Sequence, residues 1–177
     1  MIVLRTQRLQ LRELTFEDAA FILELLNEAA FLRYIGDKGV RTLADARDYL
    51  QKGPIDSYQR NGFGLYAVCT QADGGAAPVG ICGLVKREGL QDPDIGFAFL
   101  ARHWARGYAV ESAAAVLDLG TRTLKLPRIV AITSPDNWGS IRVLERIGMK
   151  FDRLISLTEG GDDEVKLFVQ VAGEASS

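Results

Sequence analysis

Histidine is nearly absent: His103 is the only one in 177 residues. That excludes a metal site built from several imidazoles, and no metal is expected. A serine–histidine relay would have to pass through this one ring. Cysteine occurs twice, at Cys69 and Cys82. Two are too few for a disulfide framework, so buried reduced thiols and a cytoplasmic location are the expectation. Long hydrophobic runs are missing too. The longest lies near Ala76–Val85, far short of the ~20 residues of a membrane span. No basic-then-apolar leader opens the chain, so neither a signal peptide nor a membrane partner is expected. Neither sign of charge dominates: 21 Lys/Arg face 23 Asp/Glu, a net of −2. This sets nucleic-acid binding aside.

What is present is the mix of an ordinary globule, 47% hydrophobic and 25% charged. At roughly 150 residues per domain, residues 1–177 form one domain, with 173–177 as a frayed tail. A chain this long buries about 70% of its unfolded surface and needs no staples. Charge is unevenly placed. Residues 101–153 carry a net of +4 and the remainder a net of −6. A basic segment in an acidic chain suits a small polyanionic ligand; it is also what scatter on a solvated surface gives.

Periodicity sets out the elements. Arg8–Arg12 alternates and reads as a strand. Thr15-Phe-Glu-Asp18 resembles a capping box, followed by Ile22, Leu25, Leu26 and Ala29 at helical spacing. Thr42-Leu-Ala-Asp45 starts a second helix with Gly53 as its stop. Phe63–Cys69 and Val79–Val85, apolar on both faces, read as central strands around an Asp73-Gly74-Gly75 turn. On adjacent strands, Cys69 and Cys82 could be near neighbours. Asp94–Leu100 is another strand. A long helix follows, with Val110, Ala113, Ala114, Leu117 and Leu124 on one face and Pro127 ending it. Arg128–Thr133 is a strand. Asn137 caps a helix that carries Ile141, Leu144 and Ile147 and ends at Gly148. Arg153–Leu157 and Glu164–Val171 close as a hairpin. Hairpins mixed with crossovers predict an α+β fold with a mixed sheet, not a doubly wound parallel one.

The sharpest chemistry lies in Arg102-His-Trp-Ala-Arg-Gly-Tyr-Ala109, which opens the long helix. A helix N-terminus offers free N–H groups and partial positive charge to phosphate. Gly107 lets backbone approach a ligand, and Arg102 and Arg106 add full charges. The same segment also reads as a tight turn with two solvated arginines. It is neither a Walker loop nor a dinucleotide fingerprint, since the Lys-Ser/Thr ending and G-x-G-x-x-G are both missing.

Leu100-Ala-Arg-His-Trp-Ala-Arg-Gly-Tyr-Ala-Val-Glu-Ser112 resembles the acetyl-CoA pyrophosphate motif of the GNAT superfamily of N-acetyltransferases. Trp104 stands at that motif's Gln/Arg position, as in the subgroup resembling ribosomal-protein N-terminal (Rim-type) acetyltransferases. Asn137-Trp-Gly-Ser140 with Val143-Leu-Glu-Arg-Ile-Gly148 is similar to that subgroup's second motif, with Met149 in place of Phe. Thr6-Gln-Arg-Leu-Gln-Leu-Arg12 and Phe16-Glu-Asp18 match its opening. The resemblance runs from about Leu4 to Val171.

It implies a mostly antiparallel sheet of about seven strands with four helices, splayed in the middle between Asp94–Leu100 and Arg128–Thr133 to hold CoA. Backbone near Phe99 and Leu100 would bind pantetheine. Arg102 and the segment Ala105, Arg106, Gly107, Tyr108, Ala109 and Val110 would bind pyrophosphate. A neutral amine would attack the thioester of acetyl-CoA directly. Ser140 is the candidate acid and Asn137 a candidate pantetheine contact. Asp94 is the candidate base or amine-orienting carboxylate. Each of the three also has a plainer role, as helix-start, cap and solvated strand-start residue respectively. The acceptor would be a peptide N-terminus or a small-molecule amine, and a homodimer is common in such proteins. A noncatalytic acyl-CoA-binding module fits the phosphate loop equally; Asn137 and Ser140 favour the enzyme.

Other residues read more plainly. His103, Trp104 and Trp138 read as surface or packing residues, and Glu111 and Glu145 as helix-surface charges. The acidic run Glu159–Glu164 reads as a solvated loop that could steer a cationic substrate. Tyr34 and the Phe31–Gly39 loop border the acceptor groove by resemblance.

Overall fold

The computed structural model describes residues 1–75 and 77–171; the expected frayed tail 173–177 lies outside them. The described residues hold eight strands in one sheet. They are β1 (Ile2–Arg5), β2 (Leu9–Glu13), β3 (Leu65–Thr70), β4 (Pro78–Val85), β5 (Asp94–Phe99), β6 (Arg128–Thr133), β7 (Lys150–Ser156) and β8 (Glu164–Val171). Their order across the sheet is β1-β2-β3-β4-β5-β6-β8-β7. Every neighbouring pair is antiparallel except β5 and β6. The fold is therefore the expected α+β with a mixed, mostly antiparallel sheet. The additional strand is β1, whose Ile2-Val3-Leu4 run lacks the alternation that marks a strand.

Six α-helices stand where four were expected: α1 (Ala19–Leu26), α2 (Ala29–Tyr34), α3 (Leu43–Leu50), α4 (Asp56–Asn61), α5 (Tyr108–Asp118) and α6 (Trp138–Arg146). The first expected helix breaks at Asn27. Its side-chain amide donates to the carbonyls of Leu23 and Val40, both at 2.8 Å. That contact ends α1 and ties down the loop before α3. The second does not stop at Gly53. Pro54 lacks an N–H and crowds the preceding turn, so the chain widens into a π turn over Gln51–Ile55. It then runs on as α4 to Gly62, whose φ of 76° ends it.

Helices cover both faces of the sheet. Leu25, Leu26, Phe31, Ala46 and Leu50 of α1–α3 pack on Ala67, Cys69, Ile81 and Leu100. Val116, Leu117, Ile141 and Leu144 of α5 and α6 pack on Leu11, Val68, Cys82, Leu84 and Phe168. Cys69 and Cys82 thus point to opposite faces and are not near neighbours; the register pairs them with Pro78 and Tyr66. Both are free and buried, and burial pushes the Cys82 thiol up to about 12.

The buried face of α5 is Ser112, Ala113, Val116 and Leu117, while Ala114 is exposed. The expected stripe ran from Val110 to Leu124 in one unbroken α-helix. A second π turn, over Leu119–Thr123, shifts its phase. Gly120 lies in it, where a Cβ would sit 2.5 Å from Cδ1 of Ile129. A side chain there would force the Ile129 side chain to shift.

Candidate active site

The site begins with a failure of pairing. β5 pairs with β4 along its whole length but meets β6 only at Asp94 and Val130. The Val130 N–H donates to the Pro93 carbonyl at 3.0 Å. Beyond that point the two parallel strands diverge toward Phe99 and Thr133. The gap exposes backbone. Leu100 N–H donates to Val79 O at 3.0 Å, so alternation along the antiparallel pair turns the polar groups of Phe97 and Phe99 toward the gap. Leu100, expected to face the gap, does not: its N–H is committed to β4, and Phe97 and Phe99 present backbone there. The Trp104 indole N–H donates to the Phe99 carbonyl at 2.8 Å, a packing role with a defined partner.

The gap opens into a cleft of about 680 Å³. Phe97–Phe99 form one wall and Asn137–Ser140 with Val143 another, with the loop from His103 to Val110 closing one end. In that loop, Ala105 takes a φ of 59° and Gly107 a φ of 79°. A left-handed alanine costs about 1 kcal/mol, which the surrounding loop must hold. Gly107 caps α5 without a side-chain bond. The first-turn N–H groups of Tyr108, Ala109 and Val110 then have no partner within the helix. Open amides at a helix start are the kind of group that attracts an anion.

The charges around it differ from expectation at one residue. Arg106 lines the cleft, whereas Arg102 does not; it turns to Glu24 of α1 in an ion pair. Arg142 and Arg146, one turn apart on α6, line the cleft instead. Their i,i+4 spacing after Asn137 was the available signal.

Asn137 caps α6, its Oδ1 accepting from the Ser140 N–H at 3.3 Å. Both side chains are half-buried at the cleft. Among the described residues, no protein hydrogen bond engages the Asn137 side-chain NH₂ or the Ser140 hydroxyl, so both are available to a ligand. Trp138 also lines the cleft, 60% exposed, with the Lys166 ammonium 5.5 Å from its ring centroid.

α1 and α2 strap the open end. The Ala101 N–H donates to the Glu28 carboxylate at 2.9 Å, and the Ser134 hydroxyl donates to the Tyr34 carbonyl at 3.0 Å. The strap is thus tied to the ends of both diverging strands. Phe31, Tyr34 and Ile35 line the cleft from this side.

Asp94 lies elsewhere. It sits where β5 and β6 touch, is 1% exposed, and does not line the cleft. Burial raises its pKa, opposed by the Arg87 guanidinium. An amine cannot reach it there, and it is not a solvated strand-start residue either. His103 does line the cleft, and its buried Nδ1 has no partner. Burial, then the charges of Arg102 and Arg106, lower its pKa, so the ring is neutral at pH 7. Glu111 is no free surface charge, being bonded to Thr6 and Arg8. Glu145 is exposed as expected. The acidic run Glu159–Glu164 does not line the cleft.

A family model described as an acetyltransferase (GNAT) domain matches residues 8–150. The chain is 30% identical over 145 residues to the Bacillus subtilis protein named uncharacterized N-acetyltransferase YnaD, spanning 82% of this chain and 81% of that one. A GNAT-family acetyltransferase structure from Bacillus anthracis superposes with a TM-score of 0.79 at 26% identity, covering 98% of this chain and all of that one. The ribosomal L7/L12 alpha-N-protein acetyltransferase RimL, solved in complex with coenzyme A, gives a TM-score of 0.82. Its identity is 18%, over 97% of this chain and 98% of that one, a likeness in fold.

Proposed function

The chain belongs to the GNAT acetyltransferase family, and from that premise we propose where the donor sits, how the proton moves and which acceptors fit. As a member, it transfers acetyl from acetyl-CoA to an amine.

The donor lies along the gap between β5 and β6. One observation carries this: the backbone of Phe97 and the Phe99 N–H, which β6 leaves unpaired, lead on to the open amides at the start of α5. That sequence of groups matches an amide-bearing arm ending in pyrophosphate. Arg106 adds charge at the pyrophosphate end, and Arg142 and Arg146 offer a seat for a further phosphate. Bound acetyl-CoA supplies a thioester whose C–S bond breaks as the amine's C–N bond forms. Ser140 donates its hydroxyl proton toward the departing sulfur and recovers one from water. Asn137 orients the neighbouring amide through its free NH₂ while its oxygen caps α6. Water accepts the proton that the amine releases, since Asp94 is closed off. The acceptor enters past Phe31, Tyr34 and Ile35, and a peptide N-terminus or a small primary amine fits that apolar rim.

Release of free CoA, measured across N-terminal peptides, amino acids, polyamines and aminoglycosides, tests the acceptor. A primary amine in that set is expected to turn over. Acetyl-CoA is expected to raise the melting temperature and NAD to leave it unchanged. No shift at saturating acetyl-CoA would overturn the placement of the donor.

A further inference from the structure

The first half of the loop before α5 is held locally, with the His103 and Trp104 N–H groups donating to the carbonyls of Leu100 and Ala101. Its second half, at Arg106 and Gly107, is braced from a distant part of the chain, the turn between β1 and β2. Arg8 in that turn makes three contacts. Its Nε donates to the Glu111 carboxylate at 2.7 Å, its Nη2 lies 2.6 Å from the same carboxylate, and its Nη1 donates to the Arg106 carbonyl at 2.8 Å. The guanidinium also lies 4.9 Å from the Tyr108 ring centroid. Glu111 completes the link, accepting from the Thr6 hydroxyl at 2.6 Å and from the Arg8 N–H at 2.9 Å.

The turn is a firm base. Thr6 N–H donates to Leu9 O at 2.9 Å, Leu9 N–H to the Thr6 hydroxyl at 3.0 Å, and Gln71 N–H to Arg8 O at 2.8 Å.

Two physical consequences follow for the loop. The Arg106–Gly107 peptide is trans, so its C=O and N–H point in opposite directions. Holding the Arg106 carbonyl on Arg8 therefore turns the Gly107 N–H the other way. Gly107 lines the cleft, and Arg8 does not. The second consequence is electrostatic. Glu111 lies in the first turn of α5. An uncompensated carboxylate there would repel a phosphate drawn to the same helix start. Arg8 neutralises it and draws it toward the β1–β2 turn.

We infer that Arg8 and Glu111 are positioning residues for the donor's pyrophosphate: together they aim the Gly107 amide and keep the helix start receptive to anions. The inference rests on the reading of this cleft as the acetyl-CoA site. It also gives a physical role to Thr6 and Arg8 of the opening motif, which lie outside the cleft.

The test compares two ligands. Acetyl-CoA carries the pyrophosphate and S-acetylpantetheine lacks it. Affinities of the wild type, Arg8→Met, Arg8→Lys, Glu111→Gln and the Arg8→Met/Glu111→Gln double variant are measured by calorimetry and ligand-observed NMR. Arg8→Met is expected to weaken acetyl-CoA about tenfold, the scale of a lost charge-assisted hydrogen bond. S-acetylpantetheine affinity is expected to hold. The double variant is expected to recover part of the loss, since the stranded carboxylate is gone. Arg8→Lys, which keeps the charge but cannot reach both partners, is expected to fall between, and it serves as the test if Arg8→Met does not fold. Equal acetyl-CoA affinity in wild type and the Arg8 variants would overturn the inference. An equal loss for both ligands would also overturn it, because that marks general distortion. A wild type that fails to bind acetyl-CoA would instead overturn the reading of the cleft.

Discussion

Arg87 lies against Asp94 at the point where β5 and β6 touch, with Nε to Oδ1 and Nη2 to Oδ2 both at 3.4 Å. The carboxylate is buried and the guanidinium about a third exposed. Burial outweighs the attraction of Arg87, so the folded pKa lies above the ordinary value. The ionised form then costs stability, and that cost sets in as pH rises from the ordinary carboxylate value through the raised one. Asp94→Asn is expected to change neutral-pH stability by less than about 1 kcal/mol, because the carboxylate's burial cost and its attraction to Arg87 offset one another and the guanidinium left behind still reaches water. It should also remove that pH dependence. Turnover is expected to stay within a few-fold, whereas loss of a general base costs about 10²–10⁴. Urea unfolding from pH 4 to 7 and steady-state rates check both.

Ser140→Ala removes a hydroxyl that no protein group engages among the described residues. Turnover on a working acceptor is expected to fall about tenfold to a hundredfold, the lower range for a lost acid. Acetyl-CoA affinity is expected to stay within about twofold, since the Ser140 amide still caps on Asn137. Pre-steady-state rates with calorimetry separate the two. An unchanged rate would remove Ser140 from the acid role.

Gly107→Val adds a Cβ at a φ of 79°, 3.2 Å from Nη2 of Arg8. The left-handed conformation alone costs a β-branched residue more than about 1 kcal/mol. The valine side chain also presses on the Arg8 guanidinium that holds the Arg106 carbonyl. Acetyl-CoA affinity is expected to drop at least about tenfold, read by calorimetry, with a modest fall in melting temperature.

His103 is held below its ordinary pKa by burial and then by Arg102 and Arg106, against smaller pulls from Asp73 and Glu24. A bound pyrophosphate counters the two arginines and raises that pKa. Binding then takes up a proton, so affinity rises as pH falls through the range in which the free ring titrates. The 3′-phosphate of CoA titrates near pH 6 as well, so the measured quantity is the difference between wild type and His103→Gln. As pH falls below neutrality the wild type is expected to gain affinity relative to the variant, with no difference at pH 8. Parallel curves would place His103 away from the phosphates.

Local signals in the sequence were reliable here. Thr15 with Asp18, and Thr42 with Asp45, form true capping boxes although Asp replaces the usual Glu or Gln. Asn137 caps as its position suggests. What failed was local information with a non-local override. The stop expected at Gly53 does not come, because the chain passes Pro54 through a π turn and continues as α4. The place of Asp94 depends on Arg87 and on the one contact between β5 and β6, which periodicity cannot encode. The resemblance to known sequences located the splayed strands, and spacing alone did not. Arg8 and Glu111 are 103 residues apart in sequence. Each looks like a solvated charge until the fold brings them together.

The single contact between β5 and β6 has a consequence for how the molecule breathes. On one side, β1–β5 form a continuous ladder; on the other, β6, β8 and β7 form a second. The two ladders meet at Asp94 and Val130 and are otherwise joined by helices and the α1–α2 strap. Such ladders are natural units of opening, and amide hydrogen exchange reads each by its own protection. A donor lying in the gap touches both. Its arrival would tie two exchange units into one, and slowed exchange in β8, which does not line the cleft, would record that union.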